Sequence, residues 1–165
     1  MLTKEQVDAI PIELRALPQW VGARDKVPVS PASFQAASVT DPSTWGTFEQ
    51  AMDGLFNDAY THIGFVFTES DPYVFIDLDA PKEDGRVLPA TDQRFIDQDA
   101  KSKSWIKAFN SYTESSQSGA GYHIIIRAHL GQAIKIKGVE MYHSKRYAIF
   151  TGNALVPAPH PRPPA

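Results

Sequence analysis

Two apolar runs, THIGFVFT at residues 61–68 and YVFIDLD at 73–79, stand on either side of the turn-forming segment ESDP. Runs of this length and composition, bounded by turn residues, are strands, and the short spacing predicts an antiparallel hairpin over about residues 62–79. The second run carries two acids in an otherwise apolar context. Strand side chains alternate between faces, so Tyr73, Phe75, Asp77 and Asp79 share one side and Val74, Ile76 and Leu78 the other. A buried carboxylate without a partner costs on the order of several kcal/mol. A divalent cation between two such acids removes both their repulsion and the desolvation cost. The same pattern also fits a strand that ends at the surface, with Asp79 capping the following turn.

Two later stretches bear on that choice. In GVEMYHS the alternation puts Glu140 and Tyr142 on one face against Val139 and Met141, so a third acid sits inside a strand. Three carboxylates make a donor set for Mg²⁺ or Mn²⁺, hard cations that take oxygen ligands and water. In SQSGAGYHIII a Ser/Gly turn runs directly into a strand that carries His123, Ile125 and Arg127 on one face. Backbone N–H groups of such a turn can hold phosphate oxygens, with an imidazole or guanidinium as a charged donor beside them. A plain hairpin with a satisfied core histidine fits the same residues. SKRYAIFTGN adds Arg146 near these strands.

The remaining sequence supplies helices and bounds. Thr3 and Gln6 have capping-box spacing ahead of Val7, Ile10, Leu14 and Leu17, and Pro11 interrupts that helix. WVGARDKVPVSP reads as a short strand or hairpin carrying Arg24 and Lys26. Asp41 with Pro42 predicts a helix start, with Trp45, Phe48, Met52 and Leu55 on one face. A loop over APKEDGRVLPATD precedes a helix from about Asp92 to Phe109, whose buried side is Phe95, Ile96, Trp105, Ile106 and Phe109. SYTES and YHIIIRA form a second hairpin, and GVEMYH and RYAIFTG are strands. The 165 residues suit one α/β domain over 1–155. The tail at 156–165, with five prolines in its last ten residues, reads as the start of an interdomain linker. The absence of cysteine removes a disulfide framework and a thiolate zinc site, and points to a reducing, intracellular setting. No membrane segment or signal peptide is legible, so a cytoplasmic location is expected. A net charge of −3 gives no global basic footprint, so a nucleic-acid partner would be held by local patches.

Taken in order, FIDLD, SQSGAGYH, and VEMY followed by RYAIFTGN resemble the three motifs of the archaeo-eukaryotic primase superfamily: paired acids, a small-residue-plus-histidine strand and a later acid. More closely, the chain resembles the primase-polymerase domain of phage and plasmid replication proteins. PQWVGARDKVPVSP, ASVTDPSTWGTFEQAM and IGFVFTESDPYVFIDLD are similar to that subgroup's tryptophan-containing first strand, TDP-x-x-W helix start and hairpin. The resemblance covers about residues 17–153. It departs from the pattern at Gln117, where relatives often carry proline, and the helical domain associated with priming in several relatives is not in the sequence. Extension of a primer is therefore better supported than its initiation.

The resemblance implies an α+β fold, with a catalytic core related to the RNA-recognition motif, a mixed or antiparallel sheet and a small N-terminal α/β lobe. It implies a DNA-directed nucleotidyltransferase acting on single-stranded or primed DNA with dNTP or NTP, using Mg²⁺ or Mn²⁺, beside a helicase domain in a longer chain. Asp77, Asp79 and Glu140 match the catalytic metal-binding acids, with Asp79 as the expected bridge. His123 matches the histidine on the nucleotide's phosphates, Ser118 its companion in the turn, and Arg146 a basic residue near the triphosphate. Arg24 and Lys26 match a basic segment along the same pocket. Lys135 and Lys137 could flank a template groove, although a solvated strand face is the simpler reading. Two alternatives stand beside this one: a non-catalytic single-stranded nucleic-acid-binding module of a replication initiator, and a metal-dependent nuclease.

Overall fold

Capping chemistry starts the helices. Thr3 accepts from the Gln6 N–H while the Gln6 side chain accepts from the Thr3 N–H, and α1 runs over Lys4–Ala9. Pro11 interrupts the chain as expected, with the single turn α2 at Ile12–Arg15 behind it. Asp41 accepts from the Ser43 N–H but starts only a 3₁₀ turn, Pro42–Thr44. The Trp45 indole donates to the Ser38 carbonyl at 2.7 Å, and the backbone at Trp45 is extended. The helix α3, Phe48–Phe56, therefore begins anew with its own capping box, Thr47 and Gln50, so Trp45 is not on its face. Helix α4 spans Gln93–Phe109 behind the N-cap Asp92. Ile106 is buried there, but Ile96, expected on the inner side, is exposed, and Ser102 is buried instead. The computed structural model describes residues 1–164; Ala165, the last residue of the proline-rich tail, lies outside the described residues.

The strands are β1 (Trp20–Arg24), β2 (Val27–Val29), β3 (His62–Phe67), β4 (Tyr73–Leu78), β5 (Lys82–Glu83), β6 (Arg86–Val87), β7 (Tyr112–Ser115), β8 (Tyr122–Arg127), β9 (Ile134–Ile136), β10 (Val139–Tyr142), β11 (Arg146–Phe150) and β12 (Ala154–Val156). They build a four-stranded sheet in the order β11-β3-β1-β2, a six-stranded sheet in the order β12-β7-β8-β4-β10-β9, and the small hairpin β5-β6 within the segment read as a loop. All pairings between these strands are antiparallel. The molecule is thus α+β with antiparallel sheets.

The hairpin expected over residues 62–79 does not form. THIGFVFT and YVFIDLD are both strands, but they do not pair with each other: β3 lies between β1 and β11, and β4 between β8 and β10. Asp71 turns the corner between the sheets. Its carboxylate accepts from the Thr68 N–H at 2.8 Å, the Tyr73 N–H at 3.0 Å and the Gln19 amide at 3.0 Å. Both strands are buried on both faces, so each sits in the middle of its own sheet, and Phe67 stacks on Phe75 across the corner at 5.6 Å.

Two apolar clusters follow from that arrangement. The larger joins Trp20, Phe65 and Phe150 of the small sheet to Tyr73, Phe75 and Tyr112 of the large one, with Phe48 and Leu55 of α3. The second lies on the opposite face of the large sheet, where Val74, Ile76, Leu78 and Ile124 pack with Ile106 of α4. The alternation along YVFIDL therefore holds, with Tyr73 and Phe75 in one cluster and Val74, Ile76 and Leu78 in the other. The small sheet draws β1 to β3 from the first 67 residues and β11 from near the other end, so the N-terminal lobe shares its sheet with the C-terminal part. In the tail, the Arg127 N–H donates to the Arg162 carbonyl, the Arg162 N–H donates to Ser111 Oγ, and Ala158 is buried.

Candidate active site

Four neighbouring strands of the large sheet, with the edge strand β9, bring five ionisable residues into one rank. Glu114 of β7 lies opposite His123 of β8, His123 opposite Asp77 of β4, Asp77 opposite Glu140 of β10, and Glu140 opposite Lys135 of β9. Directly opposed residues of antiparallel strands project from the same face with their Cβ atoms about 4.5–5.5 Å apart. The signs run negative, positive, negative, negative, positive. Like charges directly opposed on a sheet are destabilising, so the Asp77–Glu140 pair is the one position in the rank that calls for a cation.

Each member's surroundings define its role. His123 Nδ1 lies 3.2 Å from Glu114 Oε1, and its Nε2 lies 3.8 Å from Asp77 Oδ1. An ionised carboxylate only accepts, so Nδ1 carries the proton in that contact and Nε2 is the atom turned toward Asp77. Burial alone would lower the His123 pKa, but the hydrogen bond and charge of Glu114, with Asp77 and Asp79 behind, raise it above the usual value. Asp77 is pushed up to about 6, first by burial and then by Asp79 and Glu140, against the opposing pull of His123 and Lys82. Glu140 is held below its usual value, first by the Tyr142 hydroxyl that donates to it and also by Lys135, whose Nζ is 3.2 Å away. Asp79 follows β4 at an exposed position, where its N–H donates to the Gly138 carbonyl.

The turn behind His123 closes on itself. The Ser116 N–H donates to the Gly121 carbonyl, the Gly119 N–H to the Ser116 carbonyl, and the Gly121 and Ala120 N–H groups to Ser116 Oγ and Ser118 Oγ. Those donors are engaged within the turn, so its side toward a ligand is the Ser118 hydroxyl and the N–H groups of Gln117 and Ser118. Gly121 has a steric reason: a Cβ there would stand 2.6 Å from the Leu78 carbonyl oxygen at the end of β4. A cavity of about 430 Å³ opens here, lined by Asp77, Asp79, His123, Ser118, Lys26 and Tyr147 among others.

The structure brings together Asp77, Asp79, His123, Ser118 and Lys26 at this cavity, with Glu140 next to Asp77 in the sheet. Arg146 sits on the Glu140 side, its guanidinium 4.7 Å from the centre of the Tyr142 ring, and does not line the cavity. Arg24 is turned away: its guanidinium donates to the Ala59 carbonyl, so the structure does not bring it to the site. Glu114 is the residue that sequence reasoning missed. It is fully buried and accepts from the Tyr112 hydroxyl at 2.7 Å and from the N–H groups of Thr151 and Gly152 at 3.0 and 2.9 Å. Its signal was the parity of SYTES against YHIII, which places Glu114 and His123 side by side once the hairpin register is known.

Among the described residues, no three His, Cys, Asp or Glu side chains form a group close enough to hold a metal ion. Mg²⁺ is usually bound by one or two carboxylates together with waters and substrate phosphates, and an all-protein cage is not its habit. The opposed Asp77 and Glu140, with Asp79 at the strand end, are oxygen donors of the hard type that such a site uses.

No protein-family model matches the chain. It is 36% identical over 144 residues to a DNA primase-polymerase of Nitratiruptor phage NrS-1, an alignment that covers 82% of this chain and 19% of that protein. The chain therefore spans about a fifth of the length of the curated relative it matches. By this similarity, and with its acids and histidine gathered on one sheet face, the chain is related to the primase-polymerases of the archaeo-eukaryotic primase type.

Proposed function

We propose that this chain is a nucleotidyl-transfer module that extends a primer on a DNA template in phage- or plasmid-type replication, with Mg²⁺ or Mn²⁺ at Asp77, Asp79 and Glu140. The observation that carries the reading is the like-charged pair Asp77 and Glu140, opposed in one sheet beside His123 at the wall of a cavity. The similarity to a phage DNA primase-polymerase supports it. The longer protein and the helicase domain expected beside the module belong to the same proposal.

Bound divalent cations would supply activation of the primer 3′-hydroxyl and neutralisation of the pyrophosphate leaving group. The chain's own residues do the rest. Glu114 holds His123 with Nδ1 protonated, so that Nε2 and the ring's positive charge face the cavity. His123, Ser118 and Lys26 there form a set of donors for the β- and γ-phosphates, which positions the nucleotide and stabilises charge that develops on the leaving group. His123 is an electrostatic clamp in this scheme, and the raising of its pKa by Glu114 and Asp77 favours the charged ring that this role uses.

The test is extension of a labelled primer on a DNA template, with dNTP and with NTP, in Mg²⁺ or Mn²⁺. Wild-type protein is expected to extend, and Asp77→Ala to lose at least a hundredfold in rate while keeping its circular-dichroism spectrum. Undiminished synthesis by both Asp77→Ala and Asp79→Ala would overturn the assignment. Strand cleavage in the absence of nucleotide would replace it with a nuclease.

A further inference from the structure

A second and larger cavity, of about 870 Å³, lies on the other side of the acids. It runs between the start of α4 and the edge strand β9, and it shares Asp79, Ala80 and Lys82 with the cavity that holds His123. Asp79 thus stands on a ridge with a chamber on each side. Nucleotidyl transfer joins two substrates at one set of acids, and two chambers that meet at Asp79 provide one for each.

The two chambers differ in chemistry. The His123 chamber presents short, fixed donors from a tight turn, suited to a compact triphosphate. The larger one has a net positive lining: five of its fifteen residues are Lys or Arg against three acids, Asp79, Asp97 and Glu140, in a chain whose net charge is −3. Arg94 is engaged by Asp92 at 2.9 Å and Glu83 at 3.1 Å, and Lys135 by Glu140 at 3.2 Å. Lys82, Lys101 and Lys137 have no carboxylate partner within ion-pair distance among the described residues. Lys101 follows Arg94 by seven residues, two turns along the same face of α4, and Lys137 lies just past β9 on the opposite wall. Between them, the Gln98 amide nitrogen is buried with no hydrogen-bond partner. It is packed against Gly138, where a Cβ would stand 2.2 Å from it, which closes the floor of the groove between the two walls. Flexible lysines strung along both walls are the arrangement that tracks a nucleic-acid backbone.

We infer that the groove between α4 and β9 holds a DNA strand, its phosphates on Lys101 and Lys137, and delivers it to the acids from the side opposite the nucleotide. The inference rests on the nucleotidyl-transfer reading for the strand's destination, but the groove can be tested without catalysis. Lysines beside an edge strand also deter sheets from pairing edge to edge, and that role predicts no effect on DNA.

The experiment is fluorescence anisotropy of a labelled single-stranded oligodeoxynucleotide, titrated at several salt concentrations with wild type and with Lys101→Gln/Lys137→Gln. Loss of two phosphate contacts should flatten the slope of log affinity against log salt by about 1.4 and weaken binding about tenfold at low salt. Mn²⁺-dependent binding of a fluorescent dNTP should be unchanged, and the control Lys4→Gln/Lys107→Gln should bind DNA as wild type does. Equal DNA affinity and slope in the double variant would overturn the inference, as would loss of dNTP binding with DNA binding retained, which would place the nucleotide in this groove. Failure of the functional reading shows elsewhere, in synthesis that survives loss of Asp77 and Asp79.

Discussion

Asp77 is held in a form that suits binding more than stability. Burial pushes its pKa in the folded chain up to about 6 from an ordinary 3.8, so at neutral pH the fold carries an ionised group that it disfavours. A raised carboxylate pKa costs stability above the folded value, and the cost is relieved as pH falls through about 6 toward about 4. Asp77→Asn should therefore stabilise the metal-free protein at neutral pH by about 2 kcal/mol, an advantage that shrinks to nothing below about pH 4. Urea unfolding of both proteins across that range checks the sign, and equal stability throughout would remove the strain from the account. Glu114 has the opposite character, a buried carboxylate whose oxygens are all engaged. Glu114→Gln turns an amide donor toward groups that are themselves donors, so a loss of about 2–4 kcal/mol is expected in the same unfolding measurement. Its effect on nucleotide affinity should accompany that of His123→Ala, since the two side chains form one unit.

At the scale of elements, the corner at Asp71 decides the architecture. Four residues, ESDP, are as good a connection for a hairpin as for a change of sheet, and the flanking strands are apolar on both faces either way. What favours the corner is the set of hydrogen bonds that Asp71 accepts from Thr68, Tyr73 and, across 52 residues, Gln19. Asp71→Ala leaves those donors unpaired in a mostly buried setting and should cost about 2–4 kcal/mol in urea unfolding. Asn in its place retains one acceptor and should recover part of the loss. The second hairpin, β7 with β8, was legible because its turn has a glycine where φ is +74° and its strands carry matching apolar parity. The start of α3 was misplaced because Asp41 and Pro42 do begin a helical turn, but only a 3₁₀ one, and the Trp45 indole bond to Ser38 takes the chain out of line before Thr47 caps again.

The whole molecule is tied together by the return of its C-terminal part. Strand β11 completes the sheet built by β1 to β3, and the larger apolar cluster spans both sheets, so the small sheet has no core of its own. Thermal unfolding should therefore be a single transition, with near- and far-ultraviolet circular dichroism coincident; two separated transitions would show that the sheets melt as independent units. Among the described residues, no helix is long and apolar enough to cross a membrane. Much of the candidate site was already present in the chain as local pattern. The period of two along YVFIDLD assigned Asp77 to the face of Tyr73 and Phe75, the same parity paired Glu140 with Tyr142, and the Ser/Gly turn marked the approach to His123. These are properties of a few consecutive residues, fixed by backbone geometry wherever the strand ends up. Which strands become neighbours is a long-range choice of hydrogen-bond partners and core packing, and only the tertiary structure made it. It separated β3 from β4, placed Asp77 between His123 and Glu140, buried Glu114 behind the histidine, turned Arg24 away, and set Lys101 and Lys137 across one groove.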